Sequence, residues 1–237
     1  MNIKMLNFIV ILLLSVNAYS EDFKWARAKF DVKEPAQELW YVDMETEDKE
    51  LLKQIENYTT IKTDKKVYTV SLDDLNDMVK YPIIYMIASR PPVLSEKEIA
   101  NLKEYMSRGG LIFASDHHEG GDASKPVAGA MGTQDEFYRG MKTLLEDKIF
   151  PGKKCEVIPE GHEIFHSHFD MEFGFPHLFG PKNPLLGMKD DKGRYMAIMT
   201  SSGIQGGWST ADQGVSKFNR VLAVKMAINL IVYSMTH

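Results

Sequence analysis

Histidine is the residue this sequence concentrates. Six of its seven histidines, His117, His118, His162, His166, His168 and His177, fall between positions 117 and 177. An imidazole titrates near neutral pH, so beside a carboxylate it can move protons, and with further donors it can hold a divalent cation. Asp116 directly precedes His117 and His118, and an aspartate at a strand end can orient an imidazole. Asp116, His117 and His166 are therefore the candidate catalytic groups, on the expectation that the later histidine segment folds back over the Asp116 turn. The competing role for Asp116 is structural, as an acceptor for backbone N–H groups at a turn or cap. The run Gly161-His162-Glu163-Ile164-Phe165-His166-Ser167-His168-Phe169-Asp170 offers imidazole and carboxylate donors of the kind zinc takes. Its spacing limits that reading. His162 and His166 share a face only in a helix, whereas His166 and His168 share one only in a strand. No metal ligand is assigned, and a divalent metal such as zinc is the one cofactor the pattern leaves open.

Ser115, His118, His162, His168, Ser201 and Trp208 are the candidate ligand-binding residues. The stretch Ser201-Ser202-Gly203-Ile204-Gln205-Gly206-Gly207-Trp208 could turn backbone N–H groups toward an anion. It lacks the lysine and spacing of a phosphate loop, so an ordinary turn is the expected geometry. Trp208 could stack on a ligand such as a sugar ring, against the commoner role of packing its own loop. Nucleophile signals are poor. Cys155 is the lone cysteine, and neither Gly-x-Ser-x-Gly nor Gly-x-Cys-x-Gly occurs.

These residues must be positioned by alternating strands and helices. A strand is expected over Phe23 to Phe30, with Trp25 and Arg27 on one side and Ala26 and Ala28 on the other. A polar helix follows near Asp48 to Tyr58, then a short helix from a cap at Ser71 through Val79. Tyr81 to Ala88 is an apolar run of buried-strand type. Ser95 and Glu98 form a capping box for a helix whose Ile99, Leu102, Tyr105 and Met106 recur at helical spacing. Gly109 and Gly110 stop it and lead into the strand Leu111 to Ala114. A polar, glycine-rich loop from Asp116 to about Gly132 precedes a helix capped by Thr133 and Glu136 and running to about Lys148. Cys155 to Ile158 and Arg194 to Thr200 read as strands, and an apolar helix from about Val215 to Tyr233 closes the series. The pattern implies one α/β domain over residues 21–237, a three-layer sandwich on a mostly parallel sheet. Ligands of such sheets bind beyond the carboxyl ends of the strands, where Asp116 falls.

With 44% hydrophobic and 26% charged residues, the chain can bury a core and is neither disordered nor fibrous. A formal net charge of −5 without basic clusters disfavours nucleic acid as a partner. Residues 1–20 read as a signal peptide, with Lys4, an apolar run from Phe8 to Val16 and small residues at Ala18 and Ser20. The run is about half of the roughly 20 residues a bilayer crossing needs. A periplasmic or secreted protein with no stable membrane anchor after cleavage is expected. Its partner would be a small molecule or an envelope protein.

The order of Phe23-x-Trp25-Ala26-Arg27, Tyr81-Pro82-Ile83-Ile84-Tyr85-Met86 and Gly109-Gly110-Leu111-Ile112-Phe113-Ala114-x-Asp116 resembles the domain of unknown function 4159 family of bacterial exported and membrane-associated proteins. The resemblance continues through His162-x-Ile164-Phe165-His166-Ser167, Ser201 to Trp208, Asn229 and Val232-Tyr233. The family looks like a member of the class I glutamine amidotransferase-like superfamily, which implies a flavodoxin-like sandwich. In amidotransferases the turn after the Gly-Gly strand carries a nucleophilic cysteine. Here that turn holds Ser115, Asp116 and His117, which argues against glutamine hydrolysis through a thioester. Two classes of function follow: a binding module using this cleft, or a hydrolase-like enzyme, metal-assisted or not, built on the Asp/His cluster.

Overall fold

A computed structural model describes residues 22–33, 44–117, 135–209 and 215–237. The segment 1–20 expected to be a signal peptide, His118 and Thr133 lie outside these residues. The strands are β1 (Phe23–Lys29), β2 (Asp31–Val32), β3 (Thr63–Ser71), β4 (Ile83–Ala88), β5 (Pro92–Val93), β6 (Leu111–Asp116), β7 (Glu156–Val157), β8 (Leu186–Lys189) and β9 (Tyr195–Thr200). The helices are α1 (Lys49–Tyr58), α2 (Leu75–Met78), α3 (Glu96–Ser107), α4 (Glu136–Thr143) and α5 (Lys217–Thr236).

Seven strands form one sheet in the order β3-β1-β4-β6-β9-β8-β7. The first five run parallel, β8 is antiparallel to β9, and β7 is antiparallel to β8. Strands β2 and β5 pair separately. Every residue of β4, β6 and β9 is buried, as expected for parallel strands covered on both faces. Alternate residues feed two cores. Trp25, Tyr85, Phe113 and Ile198 pack toward α1 and α5. Ala26, Ile84, Ile112 and Met199 pack toward the layer that holds residues of α2, α3 and α4. The architecture is the three-layer, mostly parallel α/β sandwich expected from the sequence.

Local chemistry fixes the element ends. Ser95 and Glu98 close a reciprocal capping box at α3, as the sequence predicts. Asp74, rather than Ser71, caps α2 by accepting from Asp77 N. The helix α4 is shorter than expected, and its continuation over Leu144–Ile149 widens into a π-helical turn. Besides the two-residue strands β2 and β5, two strands of the main sheet escape the sequence reading. In β3, Asp64, Lys65 and Lys66 break the apolar pattern because this is an edge strand with a wet side. In β8, Gly187 leaves room for the Tyr195 ring and dilutes the strand signal.

The helix α5 is long and apolar enough to cross a membrane, yet much of it is core, with Ala227, Ile228 and Ile231 buried against the sheet. At the start of β6, Gly109 takes φ 112° and Gly110 lies under the Tyr105 ring. A Cβ at Gly110 would come within 2.2–2.4 Å of ring atoms whose hydroxyl donates to Tyr81 O at 2.9 Å. Gly110→Ala should therefore displace that ring and cost about 1–3 kcal/mol, read as a lowered urea midpoint.

Candidate functional site

The carboxyl end of β6 carries Ser115, Asp116 and His117, as the sequence places them. Their side chains part company at once, because successive strand residues face opposite layers. Asp116 is buried and turns to the α4 side. Its two carboxylate oxygens accept Phe137 N and Tyr138 N, both at 3.1 Å. The side chain thus does for the first turn of α4 what a capping residue does locally, with Asp135 at the N-cap position making no such bond. Burial pushes the Asp116 carboxyl well above the ordinary carboxylate range, against the pull of the Tyr138 and Phe137 amides. His117 N donates to Ala88 O at 2.8 Å, tying this turn to the end of β4.

The histidine segment lies at the other end of the sheet. The His162 ring packs edge-on against Tyr195, with centroids 4.8 Å apart, and also meets Tyr233. Tyr195 opens β9, whereas Asp116 follows the residue that pairs with Thr200 at its close. Five residues of strand separate those ends, about 17 Å. His162 Nδ1 accepts Ile164 N at 3.2 Å, capping a single 3-10 turn over Glu163–Phe165, and burial lowers its pKa. His166 faces Asp170 Oδ1 at 3.0 Å and Glu160 O at 3.3 Å. His168 Nε2 donates to Tyr58 O at 2.9 Å, at the end of α1 that leads into β3. Ser167 Oγ donates to Asn229 O, and Asn229 Oδ1 accepts the amides of His168 and Phe169. The expected convergence of Asp116 with His166 is therefore corrected. The segment docks on α5 near the amino ends of the strands instead of folding over the Asp116 turn. Among the described residues, no three His, Cys, Asp or Glu side chains come together as a metal would need. Cys155 lies elsewhere again, and burial pushes its thiol up to about 12.

What does gather at the carboxyl half is a buried polar layer on the α5 side of the sheet. Arg27 on β1 is fully buried and pairs with the equally buried Asp48: Nε donates to Oδ2 at 2.7 Å and Nη2 to Oδ1 at 2.5 Å. Trp25 Nε1 donates to the same Oδ2 at 2.8 Å. Burial works against the Arg27 charge, but Asp48 outweighs it and holds the group above its ordinary value. The guanidinium lies 5.3 Å from the centre of the Tyr85 ring. Tyr85 Oη shares a 2.5 Å hydrogen bond with Ser115 Oγ and donates to Gln205 Oε1 at 3.3 Å. Trp208 packs on both Tyr85 and Trp25, with centroids 5.3 and 5.7 Å away. The buried indole Nε1 of Trp208 has no acceptor among the described residues. Glu47 is buried next to Asp48 in the chain.

Of the residues expected to bind a ligand, Ser115 and Trp208 thus share one neighbour, Tyr85. Ser201, at the end of β9, donates to Pro181 O at 2.7 Å. The stretch after it is the turn expected, with Ile204–Gly207 a buried 3-10 turn beneath α5. Gly207 permits this, since a Cβ there would meet Ala223 Cβ at 2.5 Å. Arg27, Asp48, Tyr85 and Gln205 are members that sequence reasoning missed. The available signal was Arg27 alternating with Trp25 on one side of a strand, because an arginine on a buried face demands a carboxylate.

Two measurements separate these roles. Asp48→Ala leaves Arg27 buried and uncompensated and should cost about 3–5 kcal/mol in denaturant unfolding, whereas replacing both partners by Met and Leu should cost less. For Asp116, the folded chain keeps a proton that the unfolded chain loses near pH 3.8, so this contribution favours folding at low pH and fades as pH rises. The urea midpoint should carry a component that declines from about pH 4 upward and disappears in Asp116→Asn.

No curated protein matches the chain. A family model described as a domain of unknown function (DUF4159) matches residues 26–235, from β1 almost to the end of α5. That match covers most of the chain, which therefore belongs to the domain of unknown function 4159 family.

Proposed function

We propose that this chain is an exported binding module on an amidotransferase-like scaffold without the cysteine nucleophile, and that it holds a small molecule or an envelope protein without turning it over. The separation of the acid–base candidates carries this reading. Asp116 spends its carboxylate on the Phe137 and Tyr138 amides, while His162, His166 and His168 sit at the opposite end of the strands. A hydrolase needs its base and its orienting group within hydrogen-bond reach of one reacting atom, and Asp116 and His166 have no such common point. Export is supported by Lys4 and the apolar run that follows it.

The carboxyl edge remains the place for a ligand, following the rule for parallel sheets. In the buried layer inside that edge, Tyr85, Ser115, Gln205 and Trp208 hold donors and acceptors in fixed positions, and the Trp208 indole N–H has no acceptor among the described residues. A carbonyl or hydroxyl oxygen of a ligand would supply it.

Purified protein should hydrolyse neither glutamine nor p-nitrophenyl acetate above the buffer rate. A melting shift is expected with at least one of glutamine, glucose, N-acetylglucosamine and adenosine monophosphate, and it should vanish in Trp208→Phe. Turnover that is lost in Asp116→Asn or His166→Ala would overturn the reading.

A further inference from the structure

A cavity of about 640 Å³ opens at the amino edge of the sheet, beside the starts of β6 and β9. Pockets of this size enclose small organic molecules. Arg108 and Gly109, which end α3, form one wall, and the turn from Asp190 to Arg194 between β8 and β9 forms another. Phe150 and Met196 supply an apolar part. Arg194 joins the two walls: Nη2 donates to Met106 O at 2.9 Å, Nη1 to Gly109 O at 3.0 Å and Nε to Asp190 Oδ2 at 3.2 Å. Asp190 Oδ1 accepts the amides of Lys192 and Arg194 at 2.8 and 3.0 Å, so this carboxylate is occupied by its own turn.

The charges on the walls favour an anion. In the ion pairs that line the cavity, the base is the more enclosed partner. Lys153 is 32% exposed and its partner Asp191 is 93% exposed, while Arg194 and Asp190 are 10% and 24% exposed. The pair of His237 with Glu163 has the same order. An acid almost wholly in water gains little from pairing, so an incoming anion can replace Asp191 on Lys153 at small cost. Lys192, on the same turn, has no ion pair among the described residues. We propose that this cavity binds a small phosphomonoester with an aromatic or apolar body, Lys153 and Lys192 taking the phosphate and Phe150 and Met196 the body. A phosphate group carries close to two charges and three acceptor oxygens at neutral pH, which suits two lysines better than a single carboxylate does. The cavity lies at the opposite end of the strands from the buried layer around Tyr85, and it stands whether or not that layer receives a ligand.

Equilibrium dialysis of the whole chain against phenyl phosphate tests this. Phenyl phosphate should bind, inorganic phosphate should bind at least about tenfold more weakly for want of a body to bury, and benzylamine should not bind. Lys153→Gln and Lys192→Gln should each raise the phenyl phosphate dissociation constant about tenfold, the effect of losing one charge-assisted contact. Asp191→Asn should tighten binding by freeing Lys153, and Trp208→Phe should leave it unchanged. If Lys153→Gln lowers the melting temperature, Lys192→Gln decides, because its side chain is exposed. A melting shift with adenosine monophosphate that survives Trp208→Phe and is lost in Lys192→Gln would likewise report this cavity. Absence of binding at millimolar phenyl phosphate, binding indifferent to Lys192→Gln, binding lost in Trp208→Phe, or inorganic phosphate bound as tightly would overturn the proposal.

Discussion

An arginine taken wholly out of water makes demands on everything around it. Desolvating the Arg27 charge costs several kcal/mol unless a carboxylate meets it with good geometry, and Asp48 does so through both oxygens. That requirement fixes the turn Met44–Asp48 against β1 and sets the start of α1, which follows directly. It also sets the aromatic layer. Trp25 shares the carboxylate, Tyr85 lies beside the guanidinium, and Trp208 closes over both rings. Ser115 and Gln205 then have their partners determined by the position of the Tyr85 hydroxyl. Three parallel strands, β1, β4 and β6, and the turn after β9 are thereby linked by polar contacts, where a purely apolar core would leave more freedom of register.

The two ends of the sheet do different work. At the carboxyl end, a carboxylate from β6 replaces a missing local cap and pins α4 to the strand. At the amino end, the imidazoles are consumed by backbone: His162 caps a turn, and His168 ties the end of α1 to the loop that Asn229 holds on α5. Histidines often serve as versatile hydrogen-bonding side chains, and here their clustering in sequence reflects one long irregular segment. A loop of that length has many amides and carbonyls to satisfy.

Much of the fold was legible because several elements carry unambiguous local signals. The continuous apolar strands β4 and β6, the capping box of α3 and the apolar run of α5 each speak for themselves. Edge position hid β3, since a strand wet on one side is free to carry Asp64, Lys65 and Lys66. The candidate site was legible only in part. Ser115 could be placed at a strand end from the Gly-Gly-apolar pattern, and Trp208 from its position after β9. Which end of the sheet receives the histidine segment depends on the long excursion between β7 and β8, and no local periodicity encodes that path. Arg27 was visible on a mixed face of β1, but its partner lies 21 residues away, beyond the reach of spacing rules.

One sulfur atom has a consequence of its own. Cys155 keeps its proton far above physiological pH, and its backbone amide is held by Glu146 at 2.9 Å. A sulfhydryl in that state attacks disulfides slowly and resists peroxide, because both reactions run through the ionised form. In an oxidising environment that protonation would slow both mixed-disulfide formation and the climb to sulfenic acid.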